Sequence, residues 1–213
     1  MEFKNYMDTH FPNLTMRPAL FYSWEPGIRF ELGVDYDPPY SMEGSPYIKG
    51  VYNRVIALFK ELHKHEDDLF IVVNVNNFGD GVTFLRKLNI FSKYIKDRSV
   101  LRRLKQTTIP YVFPEDNEEG TYETHQFVMK CKASDIRYIP LLKAICNQDM
   151  GIKPKIFHDV FFINIKNKTV FHVYDDRGCD VIAKSPEPLK DIYRKNNGWI
   201  LYYDREDIDK VFK

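Results

Sequence analysis

The sequence predicts an α+β protein with a mixed, mostly antiparallel sheet and helices packed on it. Three observations predict this fold. Short segments alternate apolar and polar residues, as half-buried strands do. Tight turns join neighbouring strand segments, and segments with apolar residues at helical spacing lie between them. Because a tight hairpin joins antiparallel strands, a purely parallel sheet is excluded.

The N-terminal segment predicts one helix and two strands. The helix covers residues 2–10 and ends before Pro12, because proline cannot continue a helix. The strands cover residues 19–23 and 28–33. The four residues 24–27 join them, and their Pro-Gly pair fits a type II turn.

The middle of the chain begins with a well-marked helix and a buried strand. Ser45 is the predicted N-cap and Pro46 the first helical residue. The nearly unbroken apolar run at residues 69–73 is typical of a strand buried on both faces, so we place it centrally. Two helices, two strands around an acidic loop and a further helix are then predicted at residues 82–96, 99–106, 109–113, 122–132 and 140–148.

The last third predicts hairpins followed by helices. Its strands are expected at residues 156–165, 169–174 and 180–183, with one helix ending near residue 194 and another capped by Asp204. Asn167 is expected to adopt the left-handed conformation in the tight first turn. Since no Pro- or Gly-rich linker divides the chain, we expect one domain over residues 1–213. A weak seam lies near residue 151, and residues 155–213 form a C-terminal ββ-turn-β-α unit.

Composition gives no general argument for an anionic partner. The 213 residues include 31 Lys and Arg against 30 Asp and Glu, a net charge of +1. No apolar signal region opens the chain, and no apolar run approaches the ~20 residues of a membrane span. We therefore expect a cytoplasmic protein that does not enter a membrane. The three cysteines lack the spacing of zinc or redox motifs and are expected to be reduced core residues.

The strongest candidate site is a polar turn near the C-terminus. Asp175, Asp176 and Arg177 precede a glycine, and Asp180 follows closely. Arg177 can hold a carboxylate or phosphate through two parallel hydrogen bonds, while the carboxylates can act as bases or cation ligands. A structural alternative is equally simple, because aspartates favour such corners and can pair with the arginine.

Further candidate binding residues lie near the first predicted turn. They are Trp24, Arg29 and Glu31, of which the last two form a charge pair on the polar face of their strand. No zinc, nucleotide-binding or nucleophile motif is present, and the histidines are scattered. We expect neither a metal nor a cofactor.

Charge is segregated in the middle of the chain. A basic segment that we expect to form a helical face is followed by an acidic segment. The basic residues are Arg86, Lys87, Lys93, Lys96, Arg98, Arg102, Arg103 and Lys105, and the acidic ones are Glu115, Asp116, Glu118, Glu119 and Glu123. The basic face could meet nucleic acid and the acidic loop a basic partner. Solvated surface explains both more simply.

Several segments resemble a bacillus-centred family known only as a domain of unknown function, number 3885. These segments are Phe21–Gly33, Ala144–Asp149, His158–Phe162, Tyr174–Ala183, Leu189–Tyr193 and Trp199–Asp207. The resemblance runs from about residue 18 to the end of the chain. It implies a Gram-positive, cytosolic origin, and it transfers no reaction.

Three functions remain open from the sequence. The first is a non-catalytic intracellular binding protein with a protein partner, such as an immunity protein that neutralises a toxin. The second is a small hydrolase or transferase that acts on a phosphorylated or nucleotide substrate through the Asp175-Asp176-Arg177 turn. The third, which we rank lowest, is a nucleic-acid binder that uses the basic segment.

Overall fold

The computed structural model describes residues 2–36, 42–79 and 89–213. Within these ranges a seven-stranded sheet has the order β1-β7-β6-β5-β2-β4-β3. Every neighbouring pair is antiparallel, which confirms the predicted fold class. The strands are β1 (Gly27–Glu31), β2 (Asp68–Asn77), β3 (Lys105–Pro110), β4 (Glu123–Lys132), β5 (Asp159–Asn164), β6 (Thr169–Val173) and β7 (Gly178–Ala183).

Helices cover both faces of this sheet. They are α1 (Phe3–His10), α2 (Pro46–Leu62), α3 (Asn89–Tyr94), α4 (Tyr138–Cys146), α5 (Lys190–Lys195) and α6 (Arg205–Phe212). The longest, α2, begins as its sequence predicts. The Ser45 hydroxyl accepts a hydrogen bond from the backbone N–H of Ile48 at 3.2 Å, and Pro46 occupies the first turn.

Strand β2 shows how the two faces are separated. Leu69, Ile71 and Val73 belong to the larger core, which α2, α4 and α5 cover. Phe70 and Val72 belong to a smaller core on the opposite face. This alternation follows from the two-residue period of a strand.

The smaller core is covered by α1 and by the chain that follows it. Tyr6, Met7 and Leu20 are buried there. Farther along the same face, the Asn74 side chain of β2 donates to the Met16 carbonyl at 2.6 Å and accepts from Gln126 at 3.2 Å. The N-terminal segment is therefore tied to the middle of the sheet by a buried polar group as well as by apolar packing.

The predicted central strand and the C-terminal hairpins are present. Strand β2 pairs with β4 on one side and β5 on the other, and its apolar run is buried. Strands β5, β6 and β7 are joined in succession. In the first of these turns the left-handed residue is Lys168, with φ of 54°, and not Asn167 as predicted.

The predicted strand at residues 19–23 is wrong. Leu20–Tyr22 instead form a 3₁₀ turn, which Ala19 introduces with a left-handed φ of 66°. The predicted type II turn is also wrong, because the Glu25–Pro26 peptide is cis and Gly27 already lies in β1.

The basic segment does not form the predicted helices. Helix α3 covers only Asn89–Tyr94, and residues 80–88 lie outside the described ranges. Arg98–Arg103 form a 3₁₀ turn that Asp97 caps. Strand β3 then starts at Lys105, earlier than the predicted strand at residues 109–113, because β-branched Thr107 and Thr108 favour pairing with β4.

The three cysteines are all buried and free. Burial raises the pKa of the Cys131 thiol to about 12 and also raises the pKa of Cys146 and Cys179. A thiolate is therefore strongly disfavoured at each position.

In the described ranges, none of the helices combines the length and the apolar character that crossing a membrane requires.

The cap of α2 gives a stability prediction. Ser45→Ala should lower the free energy of unfolding by about 1 kcal/mol, because the Ile48 N–H loses its acceptor. Urea denaturation measures the change. Ser134→Ala is the control, since that hydroxyl makes no hydrogen bond within the described part of the chain. Equal effects of the two substitutions would show that the cap does not stabilise α2.

Candidate functional site

The candidate binding residues fall into two groups. Asp175, Asp176 and Arg177 form the turn between β6 and β7, and Glu31 lies beside it because it pairs with Gly178 in the sheet. Arg29 and Asp180 form a second group that contacts the 3₁₀ turn at Leu20–Tyr22, and Trp24 lies nearby, bonded to Ala183 at the end of β7. The predicted site is therefore two neighbouring groups of residues: in one the arginine side chain is exposed, and in the other it is mostly buried.

In the turn, Arg177 is exposed but already paired. Its Nε donates to Asp175 Oδ2 at 2.8 Å, and its Nη2 binds the same oxygen. The backbone N–H of Arg177 donates to the other Asp175 oxygen at 2.8 Å. The arginine side chain is 78% exposed and that of Asp175 only 4%. This arrangement holds an exposed guanidinium in one orientation over a buried carboxylate.

Asp176 points into the protein and not into solvent. It is buried, and the Tyr47 hydroxyl at the start of α2 donates to its Oδ2 at 2.5 Å. Burial raises the pKa of Asp176, and it also raises the pKa of Tyr47. The carboxylate of Asp176 therefore joins the turn to α2.

The second group is built on a buried ion pair. Arg29 Nε donates to Asp180 Oδ1 at 2.8 Å, and Nη2 donates to Oδ2 at 3.2 Å. Asp180 is fully buried and the Arg29 side chain is 12% exposed. Burial by itself lowers the pKa of Arg29, but the hydrogen bonds and charge of Asp180 outweigh it, so the net shift is upward. Asp180 also accepts from the backbone N–H of Phe21 at 3.2 Å.

Asp204 extends this network. It does not cap α6 with its side chain, contrary to the sequence prediction. Its Oδ2 lies 3.7 Å from Arg29 Nη1, and its Oδ1 accepts from the Tyr22 hydroxyl at 2.9 Å. The guanidinium carbon of Arg29 lies 4.4 Å from the centre of the Tyr22 ring. Tyr22 is therefore held in place by a hydrogen bond and by a cation–π contact.

Three exposed tyrosines lie on the two 3₁₀ turns that contact this network. Tyr22, Tyr202 and Tyr203 are 60%, 88% and 84% exposed, and we call them the tyrosine patch. The hydrogen bond from Tyr22 to Asp204 brings the first ring next to the turn that carries the other two. Sequence reasoning missed this patch, because its members are 180 residues apart and nothing local indicates that Arg29 and Asp204 join them.

A pocket of ≈ 410 Å³ opens beside the tyrosine patch. Tyr22 and Trp24 line one side and Ile208 of α6 lines the other. The indole N–H of Trp24 donates to the carbonyl of Ala183 at 2.8 Å, which fixes the ring against the end of β7. Trp24 therefore forms part of a pocket wall.

A His–Asp pair that the sequence did not reveal lies on the same face of the sheet. His172 Nε2 is 3.9 Å from Asp159 Oδ1, and the His172 ring stacks on Phe161. Burial raises the pKa of Asp159 to about 6 and lowers the pKa of His172 to about 3. The register of the β5–β6 hairpin was the available signal, because it places His172 opposite Phe161, two residues from Asp159.

The segregated charges are distributed differently from the sequence expectation. Arg86 and Lys87 lie outside the described residues. The remaining basic residues are spread over α3, the loop after it, a 3₁₀ turn and β3, so they do not form one helical face. Lys105 pairs with Glu2 at 2.7 Å, and Glu115 of the acidic loop pairs with Arg17 at 2.8 Å.

Among the described residues, no three His, Cys, Asp or Glu side chains lie close enough together to hold a metal ion.

The two groups should differ sharply in their effect on stability. Arg29→Ala leaves Asp180 buried without its charged partner and should cost roughly 3–5 kcal/mol of unfolding free energy. Arg177→Ala should cost less than about 1 kcal/mol, because the side chain is mostly in water and water can solvate Asp175. Urea denaturation at neutral pH compares them. An Arg29→Ala protein as stable as Arg177→Ala would contradict the structural importance of the ion pair.

Asp159 should make stability depend on pH. Its pKa is about 6 in the folded protein against an ordinary value of 3.8, so the folded state loses stability as pH rises between these values. Asp159→Asn removes this cost and should stabilise the protein above pH 6 by roughly 1–3 kcal/mol. Near pH 4 the effect should vanish.

Thermal melts at pH 4 and pH 7.5 measure this difference for Asp159→Asn. The exposed carboxylate Asp116 provides the control substitution, Asp116→Asn. A gain that is equal at both pH values would show that the burial of Asp159 does not favour its protonated form.

Comparison with known proteins identifies the family. The family model described as "Domain of unknown function (DUF3885)" matches residues 3–204. The uncharacterized protein YnaE of Bacillus subtilis (strain 168) is 33% identical over 214 residues, which cover 95% of this chain and 99% of YnaE. No solved structure matches the chain significantly. Because the family model spans nearly the whole sequence, the chain belongs to the DUF3885 family.

Proposed function

We propose that this protein is a non-catalytic binding protein that recognises a protein partner through the tyrosine patch. The observation that carries the proposal is the exposure of Tyr22, Tyr202 and Tyr203 around a rigid, buried ion network. Tyrosine is enriched at the centres of protein interfaces, because a large ring with few torsions gains contact area at a low entropy cost.

The contacts that hold Tyr22 in place indicate a binding surface and not a tyrosine that is exposed by chance. Tyr22 is fixed by Asp204 and Arg29, and Arg29 is fixed in turn by Asp180. A preorganised surface loses less conformational freedom when it binds. The adjoining ≈ 410 Å³ pocket, with Trp24 in its wall, can accept an apolar anchor from the partner.

We infer that the partner is an intracellular protein met in the cytoplasm. An immunity function, in which the partner is a toxin whose active surface the tyrosine patch covers, is the specific form that we propose. Inhibition of this kind needs a stable complex and no chemistry from the binding protein.

The geometry supports a hydrolase or transferase less well. Such an enzyme needs a carboxylate of the turn that is free to take a proton or hold a cation. Asp175 is occupied by the side chain and backbone of Arg177, and Asp176 accepts from Tyr47. Both carboxylates are also buried.

Affinity capture from the native host tests the proposal. The wild-type chain should retain a stoichiometric protein, and Tyr202→Ser/Tyr203→Ser should weaken the purified complex roughly 30-fold or more, about 2 kcal/mol. Phe157→Ser is the matched control, because Phe157 is also 60% exposed but lies outside the patch. Melting temperatures should be unchanged in both variants.

The effect of the captured partner on cell growth tests the proposed immunity function. Expression of the captured partner alone should arrest a host, and co-expression of the wild-type chain should restore growth while Tyr202→Ser/Tyr203→Ser should not. A harmless partner would refute the immunity function. A complex that depends equally on Phe157 and the two tyrosines would refute the tyrosine patch as the binding surface.

A further inference from the structure

A long groove lies beside β3, the edge strand at the other end of the sheet from β1. It has a volume of ≈ 1290 Å³ and runs between the N-terminal segment and strands β3 and β4. Helix α1 and residues 13–17 form one wall, and the face of β4 and β3 forms the floor. The groove exists because the N-terminal segment covers only part of this face and leaves β3 exposed.

The middle of the groove is apolar. Phe3 and Met7 of α1 project from the wall, with Leu14 beyond them. Phe70 and Val128 face them from the floor, and the rings of Phe3 and Phe70 are 5.4 Å apart. This surface suits an apolar chain.

One end of the groove carries two cations that are available to a ligand. Lys105 of β3 is opposite Val128 of β4 in the sheet. Arg103 comes two residues before Lys105 and Lys130 two residues after Val128, so both lie at the same end. Neither has an ion-pair partner in the described part of the chain, whereas Lys105 is paired with Glu2.

At the far end of the groove the cation, Arg17, is already bound by other residues of the protein. Arg17 crosses from the N-terminal wall and binds Glu115 at 2.8 Å and the carbonyl of Val112 at 3.3 Å. Its guanidinium also lies 5.6 Å from the centre of the Phe113 ring. Because Arg17 is already engaged, the groove presents free positive charge at the Arg103–Lys130 end alone.

We propose that this groove binds one free long-chain fatty acid, with the carboxylate at Arg103 and Lys130 and the chain along the apolar floor. An arginine can hold a carboxylate through two parallel hydrogen bonds, and a lysine adds a point charge. An acidic peptide fits less well, because it needs cations distributed along the groove and not gathered at one end.

This site is independent of the proposed protein partner. Tyr22, Tyr202 and Tyr203 do not line the groove, although Ser23, which follows Tyr22, does. Failure of either proposal therefore leaves the other standing.

Fluorescence titration with cis-parinaric acid tests the proposal. After delipidation the protein should bind one molecule, and palmitate should displace it. Arg103→Glu/Lys130→Glu should weaken binding at least about tenfold, because the carboxylate loses its partners. The control is Arg194→Glu/Lys195→Glu, which reverses one exposed arginine and one exposed lysine on α5 and should leave binding unchanged.

Val128→Asp tests the apolar floor. It should abolish binding while far-ultraviolet circular dichroism shows an unchanged fold; if that variant does not fold, Val128→Thr replaces it and should weaken binding. Dodecyltrimethylammonium, which carries an apolar chain with a cationic head, should not compete.

Three results would overturn the proposal. These are no saturable 1:1 binding, equal weakening by the groove and α5 variants, or equal competition by the cationic amphiphile. Binding to phosphatidylglycerol vesicles without binding of monomeric fatty acid would assign the cations to a membrane surface, and would also overturn it.

Discussion

The ion pair between Arg29 and Asp180 holds together parts of the chain that are far apart in sequence. The two residues are directly opposite in the β1–β7 ladder, so their side-chain bonds reinforce the register of an edge strand. Phe21 donates to Asp180 from the preceding segment, and Asp204 approaches Arg29 from the C-terminal side. Burying these charges is costly, and only the complete set of partners offsets that cost.

The two edge strands of the sheet differ in exposure: β1 is covered and β3 is open. The outer side of β1 is covered, since Leu201 donates to the carbonyl of Arg29 at 3.0 Å and Phe30 forms an antiparallel bridge with Ile200. Strand β3 has exposed residues along most of its length, with Lys105 at one end and Pro110 at the other. A charge and a proline on an edge strand discourage pairing with another sheet. The covered edge carries the tyrosine patch, and the open edge borders the groove.

Local signals predicted the elements whose partners are near in sequence. Ser45 marked the start of α2, and turn residues marked the hairpins from β5 to β7, so these elements were predicted correctly. Only the left-handed residue of the first turn differs, because it is Lys168 and not Asn167. Residues 19–23 could not be predicted in this way, because their 3₁₀ turn packs on Asp180 and depends on the left-handed Ala19. Tertiary contacts override local propensity at such positions.

Only part of the candidate site could be predicted, because its other contacts join residues that are far apart in sequence. Asp180 follows three residues after the exposed Arg177 and was grouped with it, yet it is fully buried in β7 beside an arginine 151 positions earlier. A sequence shows which residues can pair but not which distant partner each one meets. The tyrosine patch and the groove both arise from such distant meetings.

The three cysteines lie where reagents cannot reach them. Each thiol is enclosed by the sheet and its covering helices, and burial keeps each in the protonated form. Maleimides and peroxide react with thiolates, so the folded protein resists both while unfolded chains do not. A dye attached to a cysteine introduced on the surface would therefore mark that position alone, and modification of the native thiols would report the opening of the core.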